Sequence, residues 1–492
     1  MELWPLQKKI VDDLKHHTNA ALFMDVGTGK SCTLLSLIKP HIECNIISKV
    51  LIVGPSVVVP NWPKEVKNVM PSCKIPVHAS FGSGVKRKKE LQNFVETNPD
   101  KGIIVINYDV ATSSLGPIIE KFKPDTLVFD ESHLLKNHKS KRSKFFYKMR
   151  EKAERCYILT GTPVSNSITD IWMQYMCMDK GATFGPNFFT FQKKYMRDSN
   201  ASWIGQPGYF PKWEIRENRL PEFKQLLSKS SVTVTRDEML DIPDLTVENY
   251  YVSLNKEQLK AYKELSKLMI TQIKEEMLTV ENALTKILRL NQICAGHLPT
   301  PEGEIYSFKD LEKTKVLQNI VQKIVEKGDK TIIWTNFKHD VKTITKALHD
   351  IGIENIVYIT GSQSSKEKQE SENTFQTTPG CKILVANYAA ANAGINLQQA
   401  SHSINWSRGF SFTHAYQSEA RNRRGGSDIH KRIIQHNLIT HDTIEEEIVD
   451  IIETKRSLGD FVLSNIDNMK KMTEFDKESK RKLLENFLNG RI

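Results

Sequence analysis

The chain has no CxxC pair and no even set of cysteines. Cys32, Cys44, Cys73, Cys156, Cys177, Cys294 and Cys381 stand singly along 492 residues. An odd count without metal-ligand spacing argues against a disulfide framework and against structural zinc, and fits a reducing compartment. No apolar run approaches the roughly 18 to 20 residues of a membrane span, and Met1-Glu2-Leu3-Trp4-Pro5 lacks a charged segment leading into an apolar one, so export and insertion are disfavoured. A soluble, intracellular protein with no membrane partner is expected. No internal repeat or low-complexity tract is evident, so neither a repeat array nor a disordered chain is indicated. Acidic residues are the minority charge: 58 Asp and Glu against 69 Lys and Arg leave a net charge of +11. The excess is spread through stretches such as Lys86-Arg87-Lys88-Lys89 and Lys136 to Lys144. It favours a polyanionic partner, nucleic acid being the usual one; the alternative is a set of solvated lysine faces.

The apolar share of 39% supplies ordinary packed cores, and the length suits about two to four domains. Short β-branched runs recur between amphipathic segments: Ala20 to Met24, Val50 to Val53, Ile103 to Ile106, Thr126 to Phe129 and Tyr157 to Thr160. After a long middle stretch the rhythm returns in Thr331 to Trp334, Ile356 to Ile359, Lys382 to Ala386, His402 to Asn405 and Ile433 to Leu438. Such runs predict buried parallel strands with helical crossovers, and hence two tandem doubly wound parallel-sheet α/β domains. Asp241-Ile242-Pro243-Asp244 breaks the period and is the candidate hinge, which gives an N-terminal lobe over 1–240, a C-terminal lobe over 241–463 and a helical tail over 464–492. Lys256 to Ile293 carries apolar residues at helical spacing and predicts helices protruding from the second lobe; Met196 to Arg219 has no clear period.

The chemistry begins at Met24-Asp25-Val26-Gly27-Thr28-Gly29-Lys30-Ser31, which follows an apolar strand and precedes a helical run from Cys32 to Ile38. Gly27, Thr28 and Gly29 let backbone N–H groups turn onto phosphate oxygens, the helix N-terminus adds partial positive charge, Lys30 reaches the β and γ phosphates, and Ser31 can hold Mg. A second piece, Asp130-Glu131-Ser132-His133, follows the apolar run Thr126 to Phe129. An acid ending a strand suits Mg, and the next acid can polarise an attacking water, so the pair predicts NTP hydrolysis. Only the first lobe carries a phosphate loop, so the second should supply a cation. Gln417-Ser418-Glu419-Ala420-Arg421-Asn422-Arg423-Arg424 offers Arg421 and Arg424, three apart and on one face of a helix. Their guanidinium groups can neutralise charge on the γ-phosphoryl group and couple hydrolysis to closure of a cleft. The alternative is a salt-bridged basic helix. His133 is expected to bridge motifs through hydrogen bonds rather than to shuttle protons, and Trp62 and Trp406 to pack in cores rather than stack on bases.

These residues resemble the Swi/Snf-type branch of superfamily 2 helicases and translocases, over nearly the whole chain and in order. Leu3 to Gln7 is similar to the family's adenine-recognition motif, which implies that Gln7 reads the base edge. Leu51 to Ser56 with Asn61-Trp62, Asp130 to His133 with Leu135-Lys136-Asn137, and Leu159-Thr160-Gly161-Thr162-Pro163 with Asn166 resemble the motifs that follow. Arg236 to Pro243, Leu288 to His297 and Thr443 to Leu463 are also similar to family segments. Ile333 to Phe337, Thr360-Gly361, Ala393 to Leu397 and Gln417 to Arg424 fall where the family has its remaining motifs. The resemblance implies two RecA-like lobes with helical insertions; ATP and Mg as cofactors; Gly394 and Gln417 at the nucleotide, with Arg424 the finger; and DNA contacts from Ser56, Asn61, Thr160, Gly161, Thr162, Asn336 and Gly361. Two departures occur in the second lobe: Ala391-Asn392 replace the paired glycines before Gly394, and Gly425-Gly426-Ser427 replace the usual Ile-Gly-Gln after Arg424.

The activity implied is an ATP-dependent DNA translocase, a monomer on DNA, that remodels branched structures by branch migration or fork regression. The chain is almost all motor, which resembles compact phage-encoded fork-remodelling helicases and implies the cytoplasm of a bacterial host. The alternative is a duplex-tracking ATPase that displaces DNA-bound protein such as RNA polymerase, without strand separation. A nucleotide-switched DNA-binding module is disfavoured by the intact Glu131 and Arg424, and an RNA helicase by Asn61-Trp62 and Leu135-Lys136-Asn137, which resemble the duplex-DNA branch.

Overall fold

The structure, a computed structural model, describes residues 2–463 except 83, 206–210, 212, 240, 275–279, 301 and 392–394. Gly394 and the expected tail over 464–492 therefore lie outside the described residues. Over the described residues the chain divides into two compact units, one of 1–240 with 457–463 and one of 241–456.

The first unit is built on β1 (Asn19–Met24), β2 (Lys49–Gly54), β3 (Val77–Ala79), β4 (Gly102–Asn107), β5 (Thr126–Asp130) and β6 (Arg155–Leu159), then a small antiparallel pair, β7 (Met196–Asp198) and β8 (Trp213–Ile215), and β9 (Ser231–Val234). Its main sheet runs β3-β4-β2-β5-β6-β1-β9 and every pairing in it is parallel. Residues of the central strands are buried on both faces, as in Leu22, Ile52, Val105, Val128 and Ile158, because crossover helices cover both sides. The expected strands are thus present.

The second unit contains β10 (Asp244–Val252), a short hairpin of β11 (His297–Pro299) and β12 (Ile305–Ser307), then β13 (Thr331–Thr335), β14 (Ile356–Ile359), β15 (Ile383–Asn387), β16 (His402–Asn405) and β17 (Arg432–Thr440). Its sheet, β10-β17-β16-β13-β15-β14, is again wholly parallel. Two apolar clusters lie in this unit, one around Leu317, Ile333, Val385 and Ile404, the other around Trp334, Leu384 and Leu397.

Both sheets therefore present their functional turns at the carboxyl ends of parallel strands, where doubly wound folds place ligands. Three elements carried little signal. The edge strand β9 is only partly buried, and β10 alternates exposed and covered residues, so neither needs a continuous apolar run. The segment from Met196 to Arg219 holds the β7–β8 ribbon and short 3-10 turns. Helices span Lys256–Lys274 and Val280–Ala295. Among the described residues no helix is long and apolar enough to cross a membrane.

Candidate functional site

In the first unit the turn from β1 into the helix Lys30–Glu43 is held from several sides. Gly27 and Gly29 adopt φ of 86° and 76°, left-handed values that favour glycine. A Cβ on Gly29 would also collide with the side-chain amide of Gln7. Gln7 is buried; its Nε2 donates to the Thr28 carbonyl at 3.1 Å and its Oε1 accepts from the Trp4 N–H at 2.9 Å. The Thr28 hydroxyl donates to the Asp25 carbonyl at 2.7 Å. The Lys30 Nζ lies 3.0 and 3.1 Å from the carbonyls of Met24 and Asp25, folded along the loop. No acid occupies the first turn of this helix, so the positive end of its dipole favours an anion.

Asp25 anchors the loop. Its Oδ2 sits 2.7 Å from Nε of Arg236, both side chains 4% exposed, and its Oδ1 accepts from the Val26 N–H at 2.6 Å. Arg236 opens the turn after β9, so the edge strand fastens the phosphate loop across 211 positions. Sequence spacing gives no sign of that pairing.

Asp130 ends β5, with the Tyr108 hydroxyl donating to its carbonyl at 2.9 Å. Burial and the neighbouring charge of Glu131 push its carboxyl up to about 7, against the pull of Lys30 and a hydrogen bond from Trp62. Two adjacent acids, one of them buried, form a hard oxygen site whose repulsion a cation relieves. Mg fits there: it takes one or two protein oxygens and completes its shell with phosphates and water. Asp130 and Ser31 would hold it.

Glu131 has φ 53° and ψ 53°, a left-handed backbone that non-glycine residues adopt rarely and at functional sites. The turn aims its carboxylate at Thr160, whose hydroxyl donates to Oε2 at 3.3 Å. His133 Nδ1 lies 3.1 Å from the same hydroxyl and 3.2 Å from Glu131 Oε2, and the Thr162 N–H donates to that hydroxyl at 3.1 Å. His133 thus bridges the acid motif to the turn after β6. Thr160 and Thr162 are buried, and a Cβ on Gly161 would come within 3.3 Å of the Met24 carbonyl and the Val26 nitrogen. Among the three expected DNA contacts, Thr160 thus bonds the acid, Gly161 packs against the phosphate loop, and Thr162 donates its N–H to Thr160. Ser56 and Asn61, in the loop after β2, are exposed.

In the second unit Arg421 and Arg424 converge: their Nη1 atoms lie 3.4 and 3.2 Å from the carbonyl of Ile395. The expectation that both sit on one helix face is corrected. The helix Phe412–Asn422 ends before Arg424, which follows the cap residue Arg423 and is held by Ser427, whose Oγ accepts from its N–H at 3.2 Å. The chain turns after the cap, and the turn returns Arg424 to the carbonyl that Arg421 reaches. Burial pulls the Arg424 guanidinium below its ordinary value, opposed by the charge of Glu372. Glu372, which accepts the Asn396 N–H at 2.7 Å, is pushed up by burial and held down by that bond and by Arg424 and Arg421. Sequence reading missed it. Gln417 is buried in the same helix. Asn336 follows β13 with its N–H donating to Ser407 Oγ at 2.8 Å, and Gly361, exposed, follows β14.

A family model described as the SNF2-related domain matches residues 9–297, more than half of the chain. The chain belongs to the SNF2-related family. A second model, the helicase conserved C-terminal domain, matches residues 312–426. Similar proteins include an uncharacterized ATP-dependent helicase of Mycoplasma genitalium, 24% identical over 88% of this chain and 39% of that protein. The human DNA annealing helicase and endonuclease ZRANB3 is 25% identical over 97% of this chain and 42% of its own length. Protein p41 of Acyrthosiphon pisum secondary endosymbiont phage 1 is 22% identical over 93% of this chain and 97% of its own. The chain spans under half the length of the Mycoplasma and human relatives. The Sulfolobus solfataricus SWI2/SNF2 ATPase core in complex with double-stranded DNA is 23% identical, with a TM-score of 0.42 over 96% of this chain and 97% of that one.

Proposed function

We propose that the chain is an ATP-driven DNA translocase that acts on branched DNA by branch migration or fork regression. One observation carries the reading: the first unit gathers a helix N-terminus without acids, Lys30 and the pair Asp130–Glu131 at the carboxyl ends of β1 and β5, while the second unit gathers two guanidinium groups at Ile395 and, among the described residues, no comparable loop. A nucleotide held by the first unit alone lacks a cation for charge developing on the γ-phosphoryl group, and Arg421 and Arg424 are of the type that supplies it. Lys30 binds the β and γ phosphates, Gln7 faces the base, and Glu131 positions the attacking water from its constrained turn. Bound Mg supplies charge neutralisation on the phosphate oxygens. Closure on ATP and release on hydrolysis would alternate the grip of the two units on successive backbone phosphates, with Ser56, Asn61, Asn336 and Gly361 the proposed contacts.

Affinity for DNA should then be mostly electrostatic, weakly dependent on sequence and steeply reduced by salt. The presence of an annealing helicase among the relatives supports action on forks, and the net charge of +11 supports a nucleic-acid partner. The test compares ATP-dependent processing of a four-way junction, a model fork and a nicked linear duplex by purified protein. Resolution of the branched substrates is expected. Turnover stimulated equally by linear duplex, with no branch processing, would replace this reading with tracking that displaces bound protein.

A further inference from the structure

The helix Phe412–Asn422 has two sides of different character. Phe412, Tyr416 and Glu419 recur at i, i+4 and i+7 on one side, while Gln417 and Arg421 recur at i and i+4 on another. At about 3.6 residues per turn, Glu419 and Arg421 stand two apart and point to nearly opposite sides. All five are buried, so the side away from Arg421 is covered as well.

The helix Ile444–Leu463 shares the core of that side. Its Ile444, Ile448 and Ile452 form an i, i+4, i+8 row and belong to the same apolar cluster as Phe412 and Tyr416. Arg456 holds the next position in the row, where a guanidinium is costly unless an acid meets it. Glu419 does so: Arg456 Nη2 donates to its Oε2 at 2.8 Å and Nη1 to its Oε1 at 3.5 Å, with the Arg456 side chain 25% exposed and that of Glu419 6%. Beside it, Lys455 Nζ donates to the Phe410 carbonyl at 3.0 Å, immediately before the cap residue Ser411. The backbone carbonyl of Glu419 in turn accepts from the Arg423 N–H at 3.4 Å, where the helix ends. Two adjacent residues of one helix thus hold both the start of the arginine-bearing helix and the residue on which its last turn closes.

We infer that Arg456, with Glu419 and Lys455, positions the guanidinium groups of Arg421 and Arg424 for the γ-phosphoryl group. This rests on the proposed nucleotide site. A two-point guanidinium–carboxylate contact on the back of the helix fixes its rotation about its own axis, and so the direction of Arg421 on the front. A lysine at 456 keeps the charge and cannot reproduce the fork. None of the three residues is proposed to touch nucleotide, so their effect belongs in kcat and not in ATP binding.

The experiment uses the full chain and measures DNA-stimulated ATP hydrolysis beside equilibrium binding of a fluorescent non-hydrolysable ATP analogue. Arg456→Ala should lower kcat by about 10- to 100-fold, the scale that a misplacement of about 1 Å costs, with affinity for the analogue unchanged. Arg456→Lys should recover part of that loss, and Lys455→Met should lower kcat less than Arg456→Ala. In a chain already carrying Arg421→Ala and Arg424→Ala, adding Arg456→Ala should cost nothing further, because the groups it positions are gone. Unchanged kcat in Arg456→Ala with a parental thermal midpoint, or a loss that multiplies with that of the double variant, would overturn the assignment. Should Arg456→Ala lower the midpoint, Arg456→Lys and Lys455→Met carry the same test, and parental kcat in both would overturn it. If Arg421→Ala with Arg424→Ala itself leaves kcat unchanged, the shared-nucleotide reading falls, whatever the Arg456 variants do.

Discussion

Each unit has a turn that leaves a buried parallel strand and enters a long helix, and the two turns are opposite in electrostatics. In the first, β1 passes through Gly27 and Gly29 into a helix with no acid in its first turn, so the positive end of the dipole favours an anion. In the second, β13 passes through Asn336-Phe337 into the helix Lys338–His349, and Asp340, fully buried, fills its first turn. Asp340 Oδ2 accepts from the Phe337 N–H at 3.4 Å and from the Ser407 hydroxyl at 2.5 Å. A phosphate there would meet a carboxylate already in the place it needs. The same architecture thus leaves the helix N-terminus free of acids in one unit and fills it with Asp340 in the other, where Arg421 and Arg424 are proposed to supply the useful charge.

If that division of labour holds, Lys30→Ala should have the largest effect, abolishing nucleotide binding and with it DNA-stimulated phosphate release. Full turnover in that variant would erase the contrast between the units. Arg424→Ala follows, with a loss of about 1000-fold in kcat, while nucleotide affinity falls far less because the guanidinium acts in the closed state. Losses of equal size in both would make Arg424 a structural residue of its own unit. Glu131→Gln should bind ATP and DNA normally but turn over about 100-fold more slowly; single-turnover hydrolysis checks this, and an unchanged rate would remove its role.

The next effect is on stability. Arg236→Ala leaves Asp25 as an uncompensated buried charge, a change that costs about 3–5 kcal/mol, read as a shift in chemical denaturation. A change below about 1 kcal/mol would show that the phosphate loop does not depend on the edge strand. The smallest effect belongs to the second unit. His402 Nδ1 and His436 Nε2 lie 3.0 Å apart with rings stacked, Asp329 lies 3.6 Å from His402, and Glu248, itself bonded by the Tyr250 hydroxyl, lies 3.1 Å from His436. Burial and the His402 charge pull His436 down to about 4, with Glu248 opposing. An unfolded imidazole takes its proton near 6.5, so the unfolded state binds more protons between about pH 6.5 and 4. Stability should fall as pH drops through that window, seen as a lower thermal midpoint at pH 5 than at pH 7 and a flatter profile in His436→Asn. A profile unchanged by the substitution would assign the acid sensitivity to other groups.

The central strands were legible because burial on both faces demands runs such as Val50 to Val53 and Ile103 to Ile106. The glycine loop and the acid pair were legible because phosphate chemistry demands those residue types in that order. What escaped had a different physical origin. The edge strands β9 and β10 tolerate polar residues on an open side, and the helix that basic spacing alone would extend to Arg424 stops at Asn422. The pairing of Asp25 with Arg236 connects residues whose closeness is set by strand order in the sheet, and no local spacing encodes it. Thr160 and Gly161 show the same limit, since their motif is readable but the inward direction of their contacts is not.

The proposed function requires one triphosphate to be shared by the loop of the first unit and the guanidinium groups of the second. Its most direct test is a distance distribution between labels at Lys9, exposed beside Gln7, and Asp428, exposed beside Arg424, measured by pulsed electron paramagnetic resonance with and without DNA and a non-hydrolysable ATP analogue. The account predicts a shorter, narrower distribution when DNA and the analogue are both present. A distribution that keeps the two labels apart under every condition would contradict it.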